Sequence, residues 1–235
     1  MHEDINKNEA NKALYIAGAI IVLLIIGLFT NGFGLFSRDD SPGGARTLQI
    51  GSAPVLGAAD APVTIYEFSD FSCPYCAAAA GAPGPSTDAL RAQDSKWQAP
   101  MPNIKEKYVA KGKVRLVFKY FPGHGSGTAA HIVGWCLNEQ GLFWEFHDRA
   151  FAQQAETGSM SAMQAIARVL GANVTALQAC IDENRTSVLL QRDAALGRTN
   201  GVSGTPTFFI NGKAIVGAQS FDTFEREIEK ALEKR

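Results

Sequence analysis

The stretch that decides the fold is Val-Thr-Ile-Tyr-Glu-Phe-Ser-Asp-Phe-Ser-Cys-Pro-Tyr-Cys, residues 63–76. Its first six residues are rich in β-branched and aromatic side chains and follow a proline, a composition that predicts a buried β-strand. The cysteines come directly after this strand, where the chain is expected to turn into a helix. Proline is favoured at the first helical position because its missing N–H would have no partner there. The pattern therefore predicts a strand-to-helix junction with Cys73 at the helix N-cap.

The two cysteines of this junction form a C-x-x-C pair. A thiol at a helix N-terminus lies near unpaired backbone N–H groups and the positive end of the helix dipole, which both favour the thiolate. Cys73 is therefore predicted to be the nucleophile and Cys76, one turn further on, the resolving cysteine. The alternative is half of a zinc site, which would recruit Cys136, Cys180 or histidines. Since no second C-x-x-C motif follows, we expect a redox pair and no metal.

The rest of the chain alternates between strand and helix patterns. The predicted elements are a helix at 103–110, a strand at 113–120, helices from about 127 to 197, a hairpin of strands at 207–210 and 213–216, and an amphipathic helix at 221–233. The turn Asn211-Gly212 favours the hairpin because these residues accept positive φ angles. This order predicts an α/β sheet core with a helical insertion.

A second motif, Gly204-Thr205-Pro206-Thr207, places a proline immediately before the first strand of the hairpin. Proline cannot donate to a sheet ladder, so an edge position or a special peptide bond is expected. A cis bond between Thr205 and Pro206 would present the Thr205 backbone to an extended substrate. The alternative is an ordinary trans proline in a loop.

Residues 63–76 together with 204–207 resemble the DsbA family of thioredoxin-fold thiol:disulfide oxidoreductases. The resemblance runs from about Pro54 to the C-terminus and includes residues 136–144, a stretch typical of the family's helical insertion. Thioredoxins and glutaredoxins are near rivals, but their cis-proline lies much closer to the cysteines, whereas Pro206 follows Cys73 by 133 residues. The resemblance implies a thioredoxin fold with an inserted α-helical domain.

The resemblance also implies roles for individual residues. Cys73 would exchange disulfides with the substrate, and Thr205 and Pro206 would contact it. The dipeptide Pro74-Tyr75 would help to set the redox potential.

Glu67, six residues before Cys73, would be a buried acid beneath the active site. Burial would raise its pKa and let it pass a proton to Cys76; the alternative is a partly exposed strand carboxylate. His124 and His131, near the strand-to-helix junction after Pro122, are expected to be surface or capping histidines; the alternative is that they line the active-site groove.

Residues 81–100 depart from the family pattern. The run Gly81-Ala82-Pro83-Gly84-Pro85 interrupts the region where many relatives continue a single helix. We therefore expect a short or kinked active-site helix, followed by either a lid over the site or a neutral insertion.

The remaining cysteines, Cys136 and Cys180, fall in two predicted helices of the insertion. In an oxidising compartment two leftover cysteines are more often paired than free, and some family members are expected to carry such a structural bond. Closing a loop of about 44 residues would stabilise the domain by about 3–4 kcal/mol in the chain-entropy model. Two buried free thiols are the alternative.

The N-terminal part contains a run from Ala13 to Ser37 without a charged residue. About 20 apolar residues span a bilayer, whereas a signal peptide has a shorter apolar core and a cleavage site. We therefore expect a cytoplasmic N-terminus at 1–12, a transmembrane signal-anchor at 13–36, a linker at 37–61 and a DsbA-like domain at 62–235, with its helical insertion at about 123–200. The alternative is a cleaved signal peptide. Flanking charges are balanced, so the orientation must come from the redox chemistry of the domain.

The charge balance limits the partners. The net charge is −1, and residues 37–235 hold 20 basic and 20 acidic residues, so no basic surplus is available for nucleic acid.

The resemblance implies unfolded or reduced exported proteins as substrates, no cofactor, and reoxidation by a DsbB-like or VKOR-like quinone reductase in the membrane. Together with the apolar run, this chemistry predicts a single-pass membrane protein whose catalytic domain is extracytoplasmic, because disulfide formation needs an oxidising compartment. A disulfide reductase or isomerase, and a non-catalytic binding or assembly module on the same fold, are the alternatives.

Overall fold

The computed structural model describes residues 48–123, 125 and 127–234. The predicted cytoplasmic segment 1–12, the transmembrane segment 13–36 and His124 lie outside the described residues. Within the described ranges, no helix is both long and apolar enough to cross a membrane.

The elements follow the order strand, helix, strand, helical block, hairpin and helix. They are β1 (Val55–Leu56), β2 (Val63–Ser69), α1 (Pro74–Ala79), α2 (Pro85–Gln93), α3 (Pro100–Ile104) continued by a π-helical turn (Lys105–Val109), β3 (Val114–Tyr120), α4 (Thr128–Asn138), α5 (Phe143–Ala152), a 3-10 turn (Gln154–Glu156), α6 (Met160–Val169), α7 (Val174–Asp182), α8 (Thr186–Thr199), β4 (Thr207–Ile210), β5 (Lys213–Val216) and α9 (Phe221–Glu233).

The five strands form one mixed sheet in the order β1-β3-β2-β4-β5. The strands β2 and β3 are parallel, as expected for two strands joined by a helical crossover, and the other pairs are antiparallel. Ile65 of the central strand β2 pairs with Leu116 on one side and Ile210 on the other, and all three are buried. The helices α4–α8 are inserted between β3 and β4. The structure thus has the predicted α/β thioredoxin-type sheet with a helical insertion.

The active-site helix α1 is short, as the sequence predicts. It ends before Gly81, which has a φ of +86° and donates its N–H to the Ala78 carbonyl. A Cβ at Gly81 would lie 2.7 Å from Pro102 Cγ, so both the backbone angle and the packing require glycine there. Gly84 and Pro85 then start α2.

One difference from the sequence interpretation lies at the start of the sheet. Residues Val55 and Leu56 fall in the range predicted as a linker, yet they pair with Val117 and Leu116 of β3. A two-residue strand has too short a pattern to be recognised alone, because its conformation depends on the partner strand. Ordered structure therefore begins before residue 62.

The structure joins Cys136 of α4 to Cys180 of α7 by a disulfide bond, with the two Cα atoms 5.8 Å apart. Both cysteines are almost completely buried, at 1% exposure each. The bond therefore links two helices inside the insertion.

Candidate active site

The C-x-x-C pair lies at the junction between β2 and α1. Cys73 is the N-cap of α1, with an extended backbone, and Pro74 occupies the first helical turn. The Cys73 carbonyl accepts the first helical hydrogen bond, from Ala77 N at 3.1 Å. Both Cys73 and Cys76 are free cysteines in this structure, whereas Tyr75 between them is 48% exposed. The motif therefore holds both thiols buried after the end of β2, with Tyr75 at the surface.

The Thr205-Pro206 loop faces Cys73. The peptide bond between Thr205 and Pro206 is cis, and the Cys73 Sγ lies 3.3 Å from the Thr205 carbonyl oxygen. Strand pairing explains this meeting, because Thr207 of β4 pairs with Phe68 of β2. The residues just before β4 are thereby placed beside those just after β2. The antiparallel register thus brings together two motifs that are far apart in the sequence.

The pKa values of the two thiols are shifted in opposite directions. A hydrogen bond from Cys76, helped by the Thr205 side chain and by the backbone N–H groups of Cys76 and Tyr75, lowers the pKa of Cys73 to about 6 against the effect of its burial. Burial and the neighbouring Cys73 raise the pKa of Cys76. At neutral pH the reduced site therefore holds a thiolate at Cys73 and a thiol at Cys76.

Glu67 is fully buried in the central strand. Within the described residues neither of its carboxyl oxygens makes a hydrogen bond. Burial raises its pKa to about 7, although the nearby Ser69 hydroxyl and the Lys105 charge oppose this change. The Ser69 side chain also lowers the pKa of Cys76, against the effect of burial. Glu67 is thus a carboxyl group that exchanges its proton near neutral pH, close to the resolving cysteine.

Three further residues, Asp70, His131 and Gln154, hold the turn that carries Cys73, and of these the sequence interpretation named only His131. Asp70 accepts hydrogen bonds from Ser72 N at 2.9 Å, Ser72 Oγ at 2.7 Å and Gly123 N at 2.8 Å. The position of Asp70 directly after a strand and two residues before a serine is the only sequence signal of this turn. His131 and Gln154 carry no comparable local signal.

His131 and Gln154 reach the same turn from the helical insertion. His131 is buried, and its Nε2 accepts a hydrogen bond from Phe71 N at 3.2 Å. It therefore lies under the turn, neither lining the groove nor standing at the surface. Gln154 Nε2 donates to the Phe71 carbonyl at 3.0 Å and to the Cys73 carbonyl at 2.8 Å.

A groove of about 550 Å³ lies beside the site. Tyr75 and Thr205 line one part of it, and Leu90 and Trp97 from the segment 81–100 line another. The Trp97 indole N–H donates to the Ala218 carbonyl at 3.0 Å, which ties this segment to the loop after β5. The segment therefore forms a wall of the groove.

The zinc alternative does not fit this arrangement. Cys136 and Cys180 are bonded to each other, so neither can complete a site with Cys73 and Cys76. In the part of the chain that the structure describes, no cluster of three or more histidine, cysteine or acidic side chains is arranged to hold a metal ion.

A C-x-x-C pair at a helix N-terminus, facing a cis-proline loop on this sheet, defines a thioredoxin-fold thiol:disulfide oxidoreductase of the DsbA-like class. The family described as thioredoxin matches residues 50–85 and 95–230, and the chain belongs to that family. The unmatched residues 86–94 lie in and just after α2, inside the segment that departs from the family pattern.

Individual proteins give the same picture. The chain is 27% identical to disulfide bond formation protein D of Bacillus subtilis over 192 residues, which cover 78% of each protein. Among solved structures, the oxidised BdbD of Bacillus subtilis is similar with a TM-score of 0.64 and 25% identity, over 79% of this chain and 95% of that one. The α-DsbA1 protein of Wolbachia pipientis shares the fold, with a TM-score of 0.64 and 22% identity over 80% and 94% of the two chains.

Proposed function

We propose that the protein introduces disulfide bonds into exported proteins by exchange through Cys73 and Cys76. The observation that carries this proposal is the position of Cys73, whose pKa is about 6 and whose sulfur lies 3.3 Å from the Thr205 carbonyl before the cis-proline. Relatives named for disulfide bond formation support the same direction of reaction.

The reaction moves two electrons from the substrate to the enzyme. When Cys73 and Cys76 form a disulfide, a substrate thiolate attacks the Cys73 sulfur and the Cys76 sulfur leaves. The second substrate thiolate then attacks the substrate sulfur of the mixed disulfide and releases the Cys73 thiolate. The substrate ends with a disulfide and the enzyme with two reduced cysteines. Because its pKa is low, Cys73 is a good leaving group in the second step.

Glu67 supplies a proton in the first step. The leaving Cys76 has a raised pKa and must be protonated. Glu67 has a pKa of about 7, and the Ser69 side chain lowers the pKa of both Glu67 and Cys76, so the two groups have a common neighbour. At neutral pH a fraction of the Glu67 carboxyl groups therefore holds a proton that the Cys76 sulfur can take.

The substrate lies along the Thr205-Pro206 loop and the groove beside it. An extended peptide can form backbone hydrogen bonds with Thr205 while its cysteine meets Cys73. The balanced charge of the domain suits an enzyme that accepts many unfolded chains. The wall formed by Leu90 and Trp97 supports a substrate-facing role for the segment 81–100 over a neutral insertion.

The cellular setting follows from the chemistry. The pair works in an oxidising compartment, which is also where a structural disulfide such as Cys136–Cys180 persists. The apolar run 13–36 supports a membrane anchor, and the need for an oxidising compartment favours an N-terminus inside and a catalytic domain outside. Turnover needs a reoxidant, for which a DsbB-like or VKOR-like quinone reductase is the candidate. Anchoring in the same membrane would raise the effective concentration of the two partners.

The test uses a reduced, unfolded substrate protein and the oxidised purified enzyme. We expect stoichiometric formation of substrate disulfides by the parent protein and none by Cys73→Ser. A matched control is the double variant Cys136→Ser, Cys180→Ser, which should keep the reaction if it is folded.

The direction of the reaction is tested in cells. Free thiols are trapped with an alkylating reagent, and the redox state of the Cys73–Cys76 pair is read from the added mass. An oxidase should be mostly oxidised at steady state. A mostly reduced pair would instead support the reductase or isomerase.

A further inference from the structure

The turn that carries the nucleophile is bound from two opposite directions. On one side the Thr205 carbonyl lies 3.3 Å from the Cys73 sulfur. On the other side the Gln154 amide, from the 3-10 turn of the helical insertion, binds the main chain of the same cysteine. Cys73 is therefore positioned by the sheet through its side chain and by the insertion through its backbone.

Gln154 is suited to this task by the number of its donors. Its Nε2 carries two hydrogens, and it has two acceptors, the Phe71 carbonyl at 3.0 Å and the Cys73 carbonyl at 2.8 Å. The Cys73 carbonyl also accepts the first helical hydrogen bond of α1, from Ala77 N. Gln154 thus binds the carbonyl group at which the turn becomes the helix.

The backbone of the 3-10 turn that carries Gln154 is itself held in place. The Thr157 hydroxyl donates to the Gln154 carbonyl at 2.9 Å, and the Thr157 carbonyl accepts from Ala130 N of α4 at 3.0 Å. Just before the turn, Phe151 packs on Phe71 with ring centroids 4.9 Å apart. The backbone that carries the amide is therefore held against both the helical block and the turn.

The backbone of Phe71, two residues before Cys73, is also bound by side chains of the helical insertion. Its N–H is bound by His131 and its carbonyl by Gln154, so both of its backbone groups are satisfied by the insertion. A buried backbone group without a partner is costly, so the turn depends on these two side chains to keep its conformation.

We infer that Gln154 is a positioning residue through which the helical insertion holds Cys73 in the orientation needed for disulfide exchange. The inference rests on the proposed function and deepens it, because it gives the insertion a direct part in the reactivity of the nucleophile. Gln154 acts on the backbone of Cys73 and has no part in the sulfur chemistry itself.

The test compares Gln154→Met with Gln153→Met. Methionine is similar in length to glutamine but donates no hydrogen bond, and Gln153 is the exposed neighbour of Gln154. The rate of exchange with a reduced peptide, the titration of the Cys73 thiolate by its absorbance near 240 nm, and the melting temperature are measured for each. We expect Gln154→Met to react about tenfold more slowly, because small displacements of a reacting group reduce rates strongly, and to titrate at higher pH. Gln153→Met should match the parent protein.

The outcomes separate positioning from simple stabilisation. A folded Gln154→Met with a lower melting temperature but an unchanged rate and titration would overturn the inference. If Gln154→Met does not fold, Gln154→Asn takes its place, because asparagine retains the amide but is too short to reach both carbonyls. An unchanged rate and titration in Gln154→Asn would also overturn the inference. Absence of exchange in the parent protein would count against the proposed function, whereas the thiolate titration would still test Gln154.

Discussion

The two cysteine pairs of this protein are equally buried but differ in chemistry. Cys73 and Cys76 have no exposed surface, and Cys136 and Cys180 have 1% each. The first pair lies in the first turn of α1, whereas Cys136 and Cys180 lie near the C-terminal ends of α4 and α7. Helix N-termini stabilise a thiolate and C-termini do not. Because burial is the same, the comparison shows that the groups around each sulfur, which at Cys73 are the Cys76 thiol, the Thr205 side chain and the helix N-terminus, separate a reactive pair from a structural one.

The largest expected effect is the loss of exchange in Cys73→Ser, since a hydroxyl cannot form the mixed disulfide. Substrate oxidation should fall to the uncatalysed rate in an assay of free thiols. By comparison, Cys136→Ser with Cys180→Ser should retain most of the rate per folded molecule. Comparable loss in both variants would show that the two pairs are not functionally distinct.

The structural pair should dominate stability instead. The Cys136–Cys180 bond joins residues 44 positions apart, and removing it releases this constraint on the unfolded chain. We therefore expect a loss of about 3–4 kcal/mol in the free energy of unfolding. Urea denaturation of the double serine variant measures this loss. A difference from the parent of less than about 1 kcal/mol would contradict the assigned structural role.

Glu67→Gln should slow exchange about tenfold at neutral pH, because the proton source for Cys76 is lost. The same variant should change how stability depends on pH. The pKa of Glu67 is raised on folding to about 7, so the folded state binds its proton more tightly than the unfolded state. The parent protein therefore loses stability as the pH rises from about 4.5 to 7, and the loss should be smaller in Glu67→Gln. Parallel stability curves for the two proteins would refute this interpretation of Glu67.

A smaller effect is expected in the titration of the nucleophile. The Cys73 thiolate should appear with a midpoint near pH 6, seen as absorbance near 240 nm in the reduced protein. Because the hydrogen bond from Cys76 is the largest cause of the lowered pKa, Cys76→Ala should move the midpoint upward. An unchanged midpoint would show that the Thr205 side chain and the backbone N–H groups of the helix N-terminus set the acidity without Cys76.

The smallest effect concerns the groove. Trp97→Phe removes the indole donor to the Ala218 carbonyl while keeping an aromatic ring. We expect the KM for a peptide substrate to rise two- to threefold, corresponding to about 0.5 kcal/mol, with kcat preserved. Leu170→Ala, a change outside the groove lining, is the control and should leave KM as it is.

The sequence predicted the parts of the site that have local patterns. The strand 63–68, the N-cap at Cys73 and the hairpin around Asn211 each follow from composition and turn chemistry within a few residues. The short α1 followed from the glycine and proline run at 81–85. Local patterns are sufficient here because the conformation depends mainly on neighbouring residues.

The remaining features depend on contacts between distant parts of the chain. The strand β1 exists through its pairing with β3, and Gln154 gains its role through acceptors more than 80 residues earlier. The sequence left the segment 81–100 open between a lid and a neutral insertion, and its position as a groove wall depends on the loop after β5. Such roles have no local signature, because the residues next to a glutamine in the sequence do not show whether it is a surface residue or a positioning residue.

The distance in sequence between the two halves of the active site has a consequence for the timing of maturation. Cys73 meets the Thr205 carbonyl across a separation of 132 residues, and synthesis proceeds from the N-terminus. During synthesis the C-x-x-C pair is therefore complete long before its cis-proline loop exists, and both Cys136 and Cys180 appear in the interval. The nucleophile is present early, but the catalyst is assembled only when nearly the whole chain has been made.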